Sequence, residues 1–322
     1  MVLTIFLFAV GFIFLIKGAN LLVDGSSSIG KILGIPNLII GLTIVAIGTS
    51  APELFVNIIA SIQGNGDIAI GNILGSNISN ILLILGIAAI ITPLEVHRDS
   101  VWRDIPFSLL AILVTGFLVN DVLIDGKAIS ELSRIDGLIL LSFFAVFMYY
   151  TFSIAKGGNR GTDPIEKFGI PKSLLLIGIG LIGLALGAKW VVDGGVIIAE
   201  TIGFSETFIG LTLIAFGTSL PELVTVIVAA RKGQTDLAIG NIVGSNIFNL
   251  FWVLGFSSVI SPLTFKPETN SDIGMVIYAS LLLFLSLFVG RRHIIERWQG
   301  IFFLIMYGGY ITFLITQGYN PS

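Results

Sequence analysis

Apolar residues run along this chain in long blocks, with polar residues gathered between them, and not in the half-and-half alternation of a soluble fold. A helix needs about 20 mostly apolar residues to cross a bilayer. Ten such runs occur, at roughly 2–24, 36–62, 67–92, 101–120, 137–155, 172–193, 205–230, 236–261, 272–290 and 298–317. They predict an all-α integral membrane protein of ten transmembrane helices with short connections and no separate soluble domain. The first run starts at Met1 without a basic flank or cleavage site, so it reads as a span and not a signal peptide. One Gly/Pro-rich stretch, Lys156 to Pro171, falls at the midpoint. It divides the chain into 1–155, a linker 156–171 on the cytoplasmic side, and 172–322.

The basic residues orient these spans. With the N-terminal side called X and the opposite side Y, the Y connections hold 12 of the 17 Lys and Arg, including Lys31, Arg98, Arg103, Lys232, Arg291 and Arg297. Positive charge marks the cytoplasmic side. Y is therefore expected to be cytoplasmic, with both termini outside the cell's inner (plasma) membrane.

Composition narrows the function. Hydrophobic residues are 55% and charged residues 11%, with a mean hydropathy of +0.99; a soluble domain carries about 25% charged residues. A soluble enzyme and a disordered chain are both excluded, and a net charge of −3 gives nucleic acid no purchase. There is no cysteine, and His97 and His293 lie in polar stretches, so thiolate and imidazole metal sites are not expected. No cofactor and no obligate protein partner are expected beyond the bilayer itself.

The strongest internal signal is a repeat. Gly41–Leu94 and Gly210–Leu263 align without a gap at an offset of 169, with 29 of 54 positions identical. Each copy belongs to a set of five spans. Five is odd, so the second copy must enter the membrane inverted relative to the first. Inverted repeats are an architecture of secondary transporters, with the site at the midplane where the copies meet.

The repeated residues carry distinctive chemistry. Gly48-Thr49-Ser50-Ala51-Pro52-Glu53 recurs as Gly217-Thr218-Ser219-Leu220-Pro221-Glu222, each near the centre of a span. Proline removes an amide and clashes with the carbonyl four residues earlier, here Gly48 and Gly217. The second and seventh helices should break there and free main-chain oxygens, which the membrane interior tolerates only where something satisfies them. Thr49, Ser50 and Glu53 share a helix face, as do Thr218, Ser219 and Glu222. The next span of each copy adds Gly71 to Asn80 and Gly240 to Asn249, in which Ser76 faces with Asn80 and Ser245 with Asn249. The glycines allow two backbones to approach closely, and the third and eighth helices are expected to be broken at the midplane too.

Carboxylates, hydroxyls, amide oxygens and freed carbonyls are the ligands of a hard cation such as Ca²⁺ or Na⁺. An intramembrane Glu without use would still cost about 2.5–3.5 kcal/mol, and the four spans concerned hold no Lys or Arg before Arg231. The hydroxyls alone could serve helix packing, and Asn72 and Asn241 could serve interhelical hydrogen bonding alone. Asp67 and Asp236 read as helix caps, and Asp24 and Asp193 as interfacial anchors.

The duplicated GTS-x-PE and GN-x-x-GSN-x-x-N stretches resemble the two alpha repeats of the cation/calcium exchanger superfamily, most nearly its short prokaryotic sodium/calcium exchangers. The likeness covers essentially the whole chain. It implies a ten-span antiporter with ion sites formed by spans 2, 3, 7 and 8, and with spans 1 and 6 as a sliding gate. By motif it implies Glu53 and Glu222 as central carboxylates and Thr49, Ser50, Thr218, Ser219, Ser76 and Ser245 as supporting ligands. Ala46 and Ala215 would give main-chain carbonyls, and Asn80 and Asn249 would close the ring. Some relatives, potassium-dependent ones among them, have Asp at the position of Asn249. Asn in both copies gives a formal site charge of −2, which argues against potassium co-transport. The central loop is too short for the regulatory domain of eukaryotic members.

The expected function is exchange of Na⁺ for Ca²⁺ by alternating access. The alternative is a H⁺/Ca²⁺ antiporter of the same fold, whose members generally lack the Thr-Ser pair that this chain has twice. A cation channel ranks behind both, because an inverted repeat and an oxygen-dense site fit alternating access better. An intramembrane protease would need a Ser–His pair, an Asp pair or a metal site, and none is evident.

Overall fold

The computed structural model describes residues 2–98, 100–155, 168–202 and 215–318. Among these, the long helices are α1 (Val2–Leu33), α4 (Gly66–Ile91), α5 (Ser100–Leu118), α7 (Arg134–Ala155), α8 (Ile170–Ile202), α11 (Thr235–Ile260), α12 (Asn270–Ser286) and α13 (Arg297–Gly318). Each is long and apolar enough to cross a membrane. A ninth span is the bent pair α2 (Asn37–Thr49) and α3 (Ala51–Ile62). The short helix α6 (Asp121–Asp125) lies between α5 and α7. The expected seventh span begins in 203–214, outside the described residues; its described part is α9 (Ala215–Thr218) and α10 (Leu220–Arg231). Most of the linker, 156–167, also lies outside them.

Burial sorts these helices. In α4 and α11, 78% and 94% of the span is buried, against 17–39% in the other unbent spans. The two are therefore an inner pair, α10 is largely buried beside them, and the other unbent spans form a shell. The shell turns Phe6, Phe55, Leu174, Leu175 and Ile305 outward, an apolar belt that needs lipid around it. Trp102, Tyr149, Tyr150 and Trp298 are exposed at helix ends on side Y, where amphipathic rings settle at the headgroup level. Arg103 lies 5.4 Å from the Tyr150 ring centre there.

The prediction of an all-α fold needs a small amendment. Two antiparallel strand pairs stitch the connections, β1 (Leu94–Glu95) with β4 (Ile294–Ile295) and β2 (Ser130–Leu132) with β3 (Leu263–Phe265). The first joins two Y connections and the second two X connections. Each ties the first half of the chain to the second.

The second and seventh spans break where the prolines predict. The second bends by 46° at Ser50. Ser50 has φ −84° and ψ 8°, and Ser219 has φ −85° and ψ 1°. Both lie in the sparsely populated bridge region that separates two helical segments. Pro52 and Pro221 sit in the first turns of the segments that follow, where a missing amide costs nothing.

The third and eighth spans are not broken, which corrects the expectation of a break in them. Each is one continuous helix relaxed by a π-helical turn, Ser79–Ile84 in α4 and Phe248–Val253 in α11. Neither contains proline, so every residue keeps its amide. A π-turn widens the helix without parting it and recurs at functional sites. Gly41 and Gly240 explain how α2 reaches α11: a Cβ on Gly41 would lie 2.6 Å from the Leu237 carbonyl oxygen, and one on Gly240 2.5 Å from that of Leu38. The outermost contact is between α1 and α8. Gly18 faces Gly180 and Gly11 faces Gly187, an antiparallel register in which the two backbones touch.

Candidate functional site

The two breaks face each other across the inner pair. Glu53 is the third residue of α3 and Glu222 the third of α10, and each is 1% exposed. Ser50 Oγ donates to Glu222 Oε1 at 2.8 Å, so the break in one half of the chain touches the carboxylate of the other. Ser219 makes the corresponding reach through an intermediary. Its hydroxyl donates to Ser76 Oγ at 3.2 Å, and Ser76 Oγ donates to Glu53 Oε1 at 3.5 Å.

The threonines follow the same crossed pattern. Thr49 Oγ1 lies 3.1 Å from Asn241 Oδ1, and Thr218 Oγ1 lies 3.4 Å from Asn72 Oδ1. Asn80 Nδ2 donates to Asn246 Oδ1 at 2.9 Å, and Asn249 Nδ2 to Asn77 Oδ1 at 3.2 Å. Each of these bonds joins a residue of 1–155 to one of 172–322. Asn77 and Asn246 were not singled out in the sequence. Their place beside Ser76 and Ser245 in both GSN motifs was the available signal.

What the cluster lacks is a donor for its outermost oxygens. Glu53 Oε2, Glu222 Oε2, Asn80 Oδ1 and Asn249 Oδ1 are buried and accept no hydrogen bond. The two asparagine oxygens are left over because each Nδ2 is already spent, and for Asn249 the orientation follows from Asn77, whose Nδ2 donates to the Asn246 carbonyl at 3.4 Å. Among the described residues no Lys, Arg or His forms an ion pair with either glutamate. Buried polar atoms are nearly always satisfied, so four acceptors left bare in one cluster call for a cation.

The remaining predicted residues sit as follows. Ser245 is buried with its hydroxyl unpartnered. The Ala46 carbonyl accepts the Ser50 amide at 3.0 Å, closing the last turn of α2, and lies 3.4 Å from the Thr49 hydroxyl. Ala215 opens α9. Asp67 is no cap: it lies in the first turn of α4 and pairs with Lys266 at 2.5 Å. Asp24 pairs with Lys232 at 2.6 Å and Asp193 with Lys189 at 2.7 Å.

The family described as "Sodium/calcium exchanger protein" matches residues 3–153 and 172–316. The chain belongs to this family. It is 39% identical to the inner membrane protein YrbG of Escherichia coli over 98% of this chain and 96% of that one. It is 33% identical to the sodium/calcium exchanger MaX1 of Methanosarcina acetivorans over 94% and 96%. Among solved structures, the sodium-calcium exchanger NCX_Mj, soaked with Na⁺ and Ca²⁺, superposes with a TM-score of 0.82 at 35% identity, over 97% of this chain and 98% of that one. Membership makes this a multi-pass membrane transporter of the cation/Ca²⁺ exchanger type.

Proposed function

We propose that this protein is a Na⁺/Ca²⁺ antiporter working by alternating access, with Ca²⁺ and Na⁺ as cargo at one shared site and no resident cofactor. The single observation that carries the reading is the set of four buried, unpartnered acceptor oxygens on Glu53, Glu222, Asn80 and Asn249. Two carboxylates and two amide oxygens suit a hard divalent ion, which takes 6–8 oxygen ligands. Hydroxyls of Thr49, Ser50, Thr218, Ser219, Ser76 and Ser245, with the carbonyls of Ala46 and Ala215, complete the set. They also offer the smaller oxygen clusters that several Na⁺ ions need. MaX1 and NCX_Mj, named as sodium/calcium exchangers, support the same ions.

The architecture under this reading is ten spans in two inverted repeats, 1–155 and 172–322, joined by the cytoplasmic linker 156–171. Both termini face outward from the cell membrane. Helices α1 and α8 form the gate. Their glycine contact lets one backbone slide on the other without side chains interlocking.

The second reading is exchange of H⁺ for Ca²⁺, since buried carboxylates can also carry protons. The Thr-Ser pair before each glutamate favours sodium. Radiocalcium uptake into proteoliposomes, driven in turn by an imposed Na⁺ gradient and an imposed pH gradient, tests the two. Uptake driven by Na⁺ at fixed pH is the expected result; uptake on a pH gradient alone gives the second reading.

A further inference from the structure

The repeats match at every residue of the cluster described above, yet buried polar residues beside it, Asn57, Ser79 and Thr225 among them, have no polar counterpart. Asn57, one turn beyond Glu53, is fully buried, and the matching position in the second repeat is Val226. Asn57 Nδ2 donates to the Ala69 carbonyl at 3.0 Å, and Asn57 Oδ1 accepts Asn72 Nδ2 at 2.8 Å. A backbone carbonyl can only accept, so Ala69 forces the Asn57 amide to present its nitrogen there. Its oxygen must then face Asn72, Asn72 must answer with nitrogen, and Asn72 Oδ1 is left facing Thr218 Oγ1. Polarity passes from a main-chain group through two amides to a hydroxyl, and each of the two amides is held in one orientation.

The second repeat lacks this relay. Val226 can neither donate nor accept, and Asn241 Nδ2 is buried without a partner. Asn241 Oδ1 faces Thr49 Oγ1 at 3.1 Å, but Thr49 also lies 3.1 Å from the Val45 carbonyl. If the Asn241 amide turns over, its nitrogen donates to Thr49, and the Thr49 proton goes to Val45. Both arrangements satisfy every rule that a hydroxyl and an amide obey. The first leaves Thr49 more lone-pair capacity for a cation, and the second uses part of it.

We propose that Asn57 is a positioning residue that locks Asn72 and Thr218 into a preset Na⁺-accepting arrangement, while Val226 leaves the matching pair, Asn241 and Thr49, free to switch. The two ends of one site then differ in Na⁺ preference although their ligands are the same. This rests on the Na⁺/Ca²⁺ reading above and assigns an asymmetry within it.

The test is a pair of reciprocal substitutions, Asn57→Val and Val226→Asn, assayed by radiocalcium exchange in proteoliposomes. The Na⁺ concentration for half-maximal exchange and the Ca²⁺ KM are read separately. Asn57→Val raises the half-maximal Na⁺ concentration about three- to tenfold, the scale of one lost hydrogen bond, and leaves the Ca²⁺ KM close to that of the unmodified protein. Val226→Asn lowers it. In an Asn72→Val background the Asn57→Val change has no further effect on Na⁺, because Asn57 acts through Asn72. Equal shifts for Na⁺ and Ca²⁺, or additive effects in the double variant, would mean a merely structural asparagine and overturn the proposal. If Asn57→Val does not fold, Val226→Asn decides alone, and an unchanged Na⁺ dependence there overturns it. Failure of the functional reading looks different: the unmodified protein itself would show no Na⁺-driven flux, and both inferences would fall.

Discussion

Replacing Glu222 with Gln removes one charge and almost nothing else. The side chain keeps its length, and Oε1 keeps its 2.8 Å bond from Ser50. The group that changes is Oε2, which has no protein donor to lose. At a separation of about 3 Å and an effective dielectric constant of about 20, a carboxylate attracts Ca²⁺ by roughly 11 kcal/mol before desolvation is set against it. If hydration recovers three quarters of that, about 3 kcal/mol remains, or roughly 100-fold in affinity. Uptake by Glu222→Gln in Na⁺-loaded proteoliposomes should therefore fall about 50-fold at Ca²⁺ near the unmodified protein's Kd. Thermal unfolding in detergent separates loss of binding from loss of fold. At Ca²⁺ about 100 times the unmodified protein's Kd, binding stabilises that protein by about 2.7 kcal/mol, and a 100-fold weaker variant by only about 0.4 kcal/mol. The variant should unfold cooperatively, with a midpoint that barely responds to Ca²⁺. Near-normal uptake, or a Ca²⁺-induced shift equal to that of the unmodified protein, would refute the assignment of Glu222 as a ligand.

Ser50→Ala and Ser219→Ala should weaken Na⁺ dependence more than Ca²⁺ affinity, because the divalent ion keeps both carboxylates; competition of Na⁺ against Ca²⁺ uptake measures the difference. Gly240→Ala should destabilise the protein by about 1–3 kcal/mol, since its new methyl meets the Leu38 backbone and not a side chain that could swing away; the unfolding midpoint reads this, and an unchanged midpoint would count against the close packing of α2 on α11. A site of charge −2 carrying three Na⁺, as the family resemblance implies, moves one net charge per cycle, on which the membrane potential acts at about 2.3 kcal/mol per 100 mV. Ca²⁺ entry against internal Na⁺ should then accelerate when valinomycin and K⁺ make the vesicle interior positive, and a rate indifferent to potential would reject three-for-one exchange limited by that step.

Which features could be read in advance depended on whether their cause was local. The breaks at Ser50 and Ser219 follow from proline chemistry within four residues, and they occur where Pro52 and Pro221 place them. The pairing of Ser50 with Glu222 was not legible residue by residue, but the repeat made a meeting of the two copies predictable. The glycines of α4 and α11 were legible as a close approach, whereas the break expected of these two helices had no proline behind it. Gly240 serves the approach, packing against Leu38 and Leu42, while both helices run on. The π-turns left no local mark, since no residue in Ser79–Ile84 or Phe248–Val253 is excluded from an α-helix. The strands of two and three residues were too short to show a period of two. Asn57 was passed over for an instructive reason. The repeat highlights what the copies share, and Asn57 matters through what Val226 lacks.

The bare carboxylates also bear on why exchange is coupled. An exchanger must cross between its two open forms loaded and must not cross empty, or the gradients run down without work. Glu53 and Glu222 have no Lys, Arg or His partner among the described residues, so a bound cation or a proton must compensate them. When either side is open, water can solvate the two charges. In passage between open forms the site is closed to both sides, and each uncompensated carboxylate there costs at least the 2.5–3.5 kcal/mol of lenient insertion scales, about 5–7 kcal/mol for the pair. Empty crossing is then slowed by roughly 10³- to 10⁵-fold relative to a neutralised crossing. A resident lysine would offset one of the two charges, roughly halve that barrier and open a leak for Ca²⁺. Under the proposed function, the lack of a basic partner among the described residues is a working part of the site, and introducing one, as in Asn249→Lys, should uncouple Ca²⁺ binding from passage of the empty carrier.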